Sequence, residues 1–191
     1  SQAKNYLNTH IKTELIFSID ADEALSNELQ NEIKQIRQIG PTAFYSLNRI
    51  TNYCGVWIRY SGWFPDLKVR ISPRELTMWD GEIVHEELLV PKDAKCINLN
   101  GLLEHYSYYS QKEHQTRADQ YSRLTAIKYM ERGQNASFLK PYVSGAIRFL
   151  KMYFWQKGFL DGKSGWAIAK ISAKSNIFKY KELRRLKSEN R

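Results

Sequence analysis

No stretch of the 191-residue chain approaches the roughly 18 consecutive apolar residues that span a bilayer, so a transmembrane helix is not expected. Cysteine is scarce: Cys54 and Cys96 stand far apart, outside any Cys-x-x-Cys or Cys/His ligand pattern, which indicates neither a zinc site nor a disulfide framework. The opening residues 1–10 are polar and lack the apolar core of a secretion signal, and a reducing, cytoplasmic setting is therefore expected. Glycine-rich phosphate cradles are missing too. There is no Gly-x-Gly-x-x-Gly, no P-loop, no His-Glu-x-x-His and no Gly-x-Ser-x-Gly, so nothing points to a dinucleotide enzyme, a P-loop NTPase, a zinc protease or an α/β-hydrolase.

Acid is short in one place. Residues 121–191 carry 16 Lys/Arg against 4 Asp/Glu, a balance of +12, whereas residues 1–120 carry 13 against 16, a balance of −3. The formal charge of +9 is thus C-terminal, which suggests an anionic partner, either nucleic acid or phospholipid headgroups. What the chain has in quantity is apolar and aromatic side chain, 42% and 13%, enough for a folded unit of one to two domains with a real core. Five Trp, twelve Tyr and eight Phe also offer flat faces for stacking on sugars or bases.

The segment richest in chemistry is 15–23, Leu-Ile-Phe-Ser-Ile-Asp-Ala-Asp-Glu, an apolar strand running into Asp20 and Asp22. Its apolar run predicts a strand buried on both faces of a mainly parallel sheet, where ligands gather outside the carboxyl ends of strands. Two residues apart in extended chain, both aspartates point to one side and can share a hard divalent cation. An equally direct alternative is that Asp22 or Ser26 caps a helix over 24–39, where Leu25, Leu29, Ile33 and Ile36 have helical spacing. The residues alone leave both open.

Elsewhere the pattern predicts a helix over 1–10 that has no preceding cap, a helix stop at Gly40-Pro41, and strands over 42–47, 56–60 and 68–71 around a turn at 61–66. Further short apolar strands are expected at 88–90 and 95–99, then a mixed segment at 102–109 and a polar helix over 111–132. Beyond Asn135 two helices are expected, 141–156 and 166–187, aromatic and basic, broken between Lys157 and Gly162. Such a pair suits an anchor lying on a membrane surface.

The run Phe17-Ser18-Ile19-Asp20-Ala21-Asp22-Glu23-Ala24-Leu25-Ser26 is followed in order by Asn52-Tyr53, Trp57-Ile58-Arg59, Gly62-Trp63-Phe64-Pro65-Asp66, Val69-Arg70-Ile71, Val84-His85-Glu86, His105-Tyr106-Ser107-Tyr108 and Gly158-Phe159-Leu160-Asp161-Gly162. This order resembles family 2 glycosyltransferases, specifically bacterial enzymes that add sugars to lipopolysaccharide core or other envelope glycans. The likeness runs over nearly the whole chain and joins the family after its N-terminal, nucleotide-binding portion.

The resemblance implies an α/β, GT-A-like (Rossmann-like) mixed sheet, N-terminally incomplete, with a partial catalytic domain over 1–132 and a basic aromatic helical region over 133–191 that associates with a membrane surface. It implies inverting transfer of a sugar from a nucleotide-diphosphate sugar to a glycan or glycolipid acceptor, assisted by Mg2+ or Mn2+, on the inner face of the cytoplasmic membrane. By motif position, Asp20, Asp22 and His105 would hold the metal, Glu86 would be the catalytic base, and Arg59, Gly62, Trp63, Asp66, Arg70 and His85 would contact donor or acceptor. A non-catalytic, membrane-associated remnant and a nucleic-acid binder are the competing classes, the latter resting on charge alone.

Overall fold

The computed structural model describes residues 2–39, 43–81 and 87–189. Helix α1 (Gln2–His10) leads into β1 (Leu15–Phe17), β2 (Glu23–Leu25), α2 (Asn27–Ile39), β3 (Phe44–Tyr53), β4 (Val56–Ile58), β5 (Leu67–Pro73), β6 (Met78–Asp80), β7 (Glu87–Leu89), β8 (Cys96–Tyr108), α3 (Gln111–Glu131), α4 (Lys140–Leu150) and α5 (Gly162–Glu189). The result is an α/β chain in which the strands run in the order β1-β5-β3-β8-β2, β4 pairs with β3, and β6 and β7 form a separate ribbon. Residues 1–50 with 65–105 form one compact unit, and residues 51–64 with 106–191 form another.

In the first unit, β1 pairs antiparallel with β5, β5 with β3, and β2 with β8. The expectation of a parallel, doubly buried strand at 15–19 is therefore corrected. β1 is a three-residue strand at the end of the order, with Ile16 buried and its neighbours half-exposed. An apolar run this short does not distinguish a central parallel strand from an edge strand whose second face is covered by other elements. The core gathers Leu29 and Ile36 of α2 with Tyr45, Leu47, Ile71, Leu99 and Leu103 from the strands.

The helix expected over 24–39 begins later, because Glu23–Leu25 is taken into the sheet by β8 and Ser26 caps α2. Its hydroxyl accepts the Leu29 and Leu102 backbone N–H groups at 3.2 and 3.0 Å, so one side chain fixes both the helix start and its seat on β8. Of the two capping candidates, the structure selects Ser26. The Gly40-Pro41 stop lies outside the described residues.

In the second unit, the end of β3 turns back into β4 through Cys54 and Gly55, both at positive φ (52° and 86°), the geometry of a tight two-residue hairpin. Tyr53, Ile58, Met152 and the 167–169 stretch of α5 form the core. Helix α4 ends in one π-helical turn, Lys151–Trp155, followed by a 3-10 turn at Gly158–Asp161, the break expected near 157–162. Among the described residues no helix is long and apolar enough to cross a membrane.

Candidate functional site

Beyond β1 the chain makes a turn. The Ser18 N–H still donates to the Arg70 carbonyl of β5 at 2.8 Å, but the Glu23 N–H then donates back to the Asp20 carbonyl at 3.0 Å. Glu23 returns the bond, its carboxylate accepting the Asp20 N–H at 3.0 Å. This turn sends Asp20 and Asp22 to different partners, which corrects the expectation of two carboxylates on one side of an extended strand.

Asp20 meets Arg70 Nη2 at 2.9 Å. The same nitrogen donates at 2.6 Å to Glu23, whose carboxylate is fully buried. Arg49 approaches Glu23 at 3.5 Å and Asp66 at 2.7 Å, and Lys68 completes the chain on Asp66 at 3.1 Å. Three acids and three bases thus alternate, so no charge in the row is left uncompensated. Burying Glu23 without Arg70 would cost about 3–5 kcal/mol, which makes this arginine a structural necessity whatever else it touches. Burial pushes the Asp20 carboxyl up, but the hydrogen bond and charge of Arg70, helped by Lys4 and Arg49, outweigh it and hold the group below its usual range.

Asp22 faces His105, because Glu23 and His105 are cross-strand partners in the β2–β8 ladder and Asp22 is the residue just before. His105 Nε2 lies 3.2 Å from Asp22 Oδ2. Burial lowers the affinity of this imidazole for a proton, as does Arg49, against the pull of Asp22 and Glu23, and the net shift is downward. The ring is therefore neutral at pH 7, and the geometry suits Nε2–H donating to Asp22. Its Nδ1 is buried without a hydrogen-bond partner.

That orphaned atom bears on whether a divalent cation fits. With the proton on Nε2, Nδ1 is a buried lone pair with no donor. Were Asp22 and His105 to hold a cation through Nε2, the ring proton would sit on Nδ1, which has no acceptor there, whereas ligating histidines usually donate that N–H to a carboxylate or carbonyl; the orphaned atom is met in neither state. Two ligands are a partial site, and among the described residues no cluster of three His, Cys, Asp or Glu side chains supplies a closed one. One carboxylate and one imidazole are compatible with a cation whose other positions are filled by substrate phosphate and water, as Mg2+ is commonly bound by one or two carboxylates plus phosphates.

Arg59, Gly62 and Trp63 belong to the second unit. Asp161 accepts the Arg59 and Tyr60 N–H groups at 3.1 and 3.2 Å and the Ser61 hydroxyl at 2.9 Å, tying the β4 exit to the turn before α5. Gly62 has φ +74°, a left-handed conformation in which any side chain would be strained, so the fold already favours glycine here; the Gln156 side-chain amide that a Cβ would meet could move aside. Trp63 packs edge-on against Tyr53 and lies beside Tyr108 and His114, ring centroids 5.6–5.8 Å apart. Arg59 is exposed. His85 and Glu86 lie outside the described residues.

Glu23 and Arg49 were not foreseen as members of the charged row. For Glu23 the available signal was its place directly behind the aspartate pair, at the start of a short strand. For Arg49 it was a lone cation in a run whose neighbours Leu47 and Ile50 are core residues.

No protein-family model matches the chain. It is similar to an uncharacterized glycosyltransferase of Rickettsia typhi, 27% identical over 203 residues that cover 98% of this chain and 68% of the relative. A second of the same description, from Rickettsia prowazekii, is 27% identical over 206 residues with the same coverage, 98% and 68%. A third, from Rickettsia bellii, is 24% identical over 208 residues, covering 96% of this chain and 66% of the relative. The chain therefore spans about two thirds of the length of these relatives. The relatives are described as glycosyltransferases, and these likenesses support glycosyl transfer in general as the role of this chain.

Proposed function

We propose that the chain acts as an inverting family 2 glycosyltransferase of GT-A fold, moving a sugar from a nucleotide-diphosphate donor to an envelope glycan or lipid-linked acceptor of the lipopolysaccharide core type, at the inner face of the cytoplasmic membrane. The observation that carries this reading is the contact of Asp22 with His105 across 83 residues of sequence, which puts two separated members of the ordered motif side by side at the end of the β2–β8 ladder.

Asp22 and His105 are the residues that would hold Mg2+ or Mn2+, whose chemistry there is to neutralise charge on the departing diphosphate. Asp20, held ionised by Arg70, would accept hydrogen bonds from donor hydroxyls rather than lend both oxygens to a metal, since one of its oxygens is already engaged by Arg70. Arg70 and Arg49 keep the acid row rigid and so keep Asp22 in register with His105. In the transfer itself the acceptor hydroxyl attacks the anomeric carbon from the face opposite the leaving group. A general base takes its proton, and the bond from that carbon to the diphosphate oxygen breaks. Glu86 is the proposed base, by its place in Val84-His85-Glu86.

Nucleoside-diphosphate binding measured by calorimetry with and without Mn2+, alongside donor turnover, tests the assignment. Asp22→Ala is expected to weaken Mn2+-dependent binding at least tenfold. Glu86→Gln is expected to leave binding intact and slow turnover by about 100-fold or more, the usual range for loss of a general base. Binding indifferent to Mn2+, or variants that behave as the parent in both measurements, would overturn it.

A further inference from the structure

Helix α4 has two apolar faces, and the protein uses one of them. The inner face, Pro141, Gly145 and Met152, is buried. A Cβ on Gly145 would meet the Ile177 side chain of α5, so this glycine sets a close helix–helix approach. On the opposite side, Leu139, Val143, Ile147, Leu150 and Phe154 recur at spacings of three and four and fall in one stripe. All five are exposed, Ile147 by 60% and Phe154 by 58%. The π-helical turn Lys151–Trp155 widens the end of the stripe and sets Trp155 outward at 85% exposure. Ile147, Leu150, Lys151, Phe154 and Trp155 line a groove of about 610 Å3 there. A continuous apolar surface of this kind marks an interaction site rather than the scattered apolar residues of an ordinary surface.

Charge decides what covers it. From residue 132 to residue 160 the chain contains no Asp or Glu, and Arg132, Lys140, Arg148, Lys151 and Lys157 fall within that span. Asp161, the next acid, is consumed by the Arg59, Tyr60 and Ser61 bonds, and Glu182 by Arg185 at 2.8 Å and Arg123 at 3.8 Å. A second copy docking through the same stripe would bring two acid-free basic surfaces together. An anionic lipid headgroup layer complements them, with the aliphatic and aromatic side chains entering the acyl boundary and the lysine stems reaching back to the phosphates.

We propose that the outer stripe of α4 and its π-helical end, centred on Ile147, Leu150, Phe154 and Trp155 and edged by Lys140 and Lys151, is the face by which the protein lies on an anionic bilayer. The inference deepens the membrane location proposed above and rests on it. It names the seat: one face of one helix, inserted shallowly.

Co-sedimentation of the full chain with vesicles of phosphatidylcholine containing 30% phosphatidylglycerol, against pure phosphatidylcholine, tests it. Binding is expected to the anionic vesicles only, with a blue shift of tryptophan emission that Trp155→Phe removes in large part. The triple variant Ile147→Ser, Leu150→Ser, Phe154→Ser changes exposed residues only; with an unchanged circular dichroism spectrum it is expected to bind at least tenfold more weakly. Lys140→Glu with Lys151→Glu is expected to weaken binding to a similar degree and to leave Mn2+-dependent nucleotide binding as in the parent, so that failure here and failure of the transfer assignment are separable. No vesicle binding, binding untouched by the triple variant, or a stripe-dependent dimer seen by sedimentation in place of vesicle binding would overturn the proposal.

Discussion

Desolvation sets the charge of His114. The residue is buried in α3 beneath Tyr53, Trp63 and Tyr108, its Nδ1 3.1 Å from the Tyr53 hydroxyl, and burial pushes its pKa down from 6.5 to about 4. Burial also pushes the ionisation of Tyr53 upward, so the phenol keeps its proton and a neutral imidazole can accept it. Because the folded-state pKa lies below the unfolded one, the unfolded chain takes up a proton first as the pH falls. The stability tied to His114 is intact above about pH 6.5 and is lost as the pH drops towards 4, by roughly 2 kcal/mol at pH 5 and roughly 3 kcal/mol in all. Urea denaturation at pH 7 and pH 5 should show that loss, and His114→Gln should flatten it. A His114 ring resonance titrating near 6.5 in the folded protein would refute this account. Nothing in Glu113-His114-Gln115 announces it, because the residues that desolvate the ring come from β3, the turn after β4 and the end of β8.

At the scale of elements, the seat of α2 on β8 shows how local signals and long-range pairing divide the work. A Cβ on Gly101 would collide with the backbone of Leu29, and Glu32 accepts the Asn100 and Gly101 N–H groups at 3.1 and 2.9 Å. Gly101→Ala is therefore expected to push the helix off the strand and to cost about 1–3 kcal/mol, the range for overpacking a filled core, read as a lower urea midpoint with an unchanged slope. A midpoint equal to the parent's would show the helix free to shift. The spacing of Leu29, Ile33 and Ile36 made α2 legible, as the long polar run over 111–132 and the basic stretch over 166–187 made α3 and α5 legible. The start of α2 was not, since Glu23–Leu25 reads equally well as a first helical turn until β8 claims it. The separate signals at 95–99 and 102–109 are one 13-residue strand because Gly101, a breaker by local propensity, is here the point of close approach. The site was legible in the same uneven way: Asp20 and Asp22 stand out, but the turn that parts them depends on Arg70, Glu23 and Arg49, whose ion pairs span 26 to 50 residues.

For the molecule as a whole, charge and apolar surface make different demands, and salt separates them. A balance of +12 over residues 121–191 raises the local concentration of any polyanion, nucleic acid included, through a potential that reaches only about 10 Å at 0.1 M salt. Lysines spread along helices neutralise phosphates without reading bases. Binding to a labelled duplex or single strand is therefore expected to be indifferent to sequence, to fall at least 100-fold between 50 and 300 mM NaCl as counterion release dictates, and to be unmoved by the Ile147, Leu150 and Phe154 substitutions. Vesicle binding has a second component, the burial of the α4 stripe, which screening does not weaken, so part of it should persist at 300 mM NaCl and vanish in the triple variant. Fluorescence anisotropy and co-sedimentation on the same preparation compare the two directly. Salt-resistant or sequence-selective nucleic-acid binding would show that the basic half of this chain is built for bases, and would displace the lipid surface as its partner.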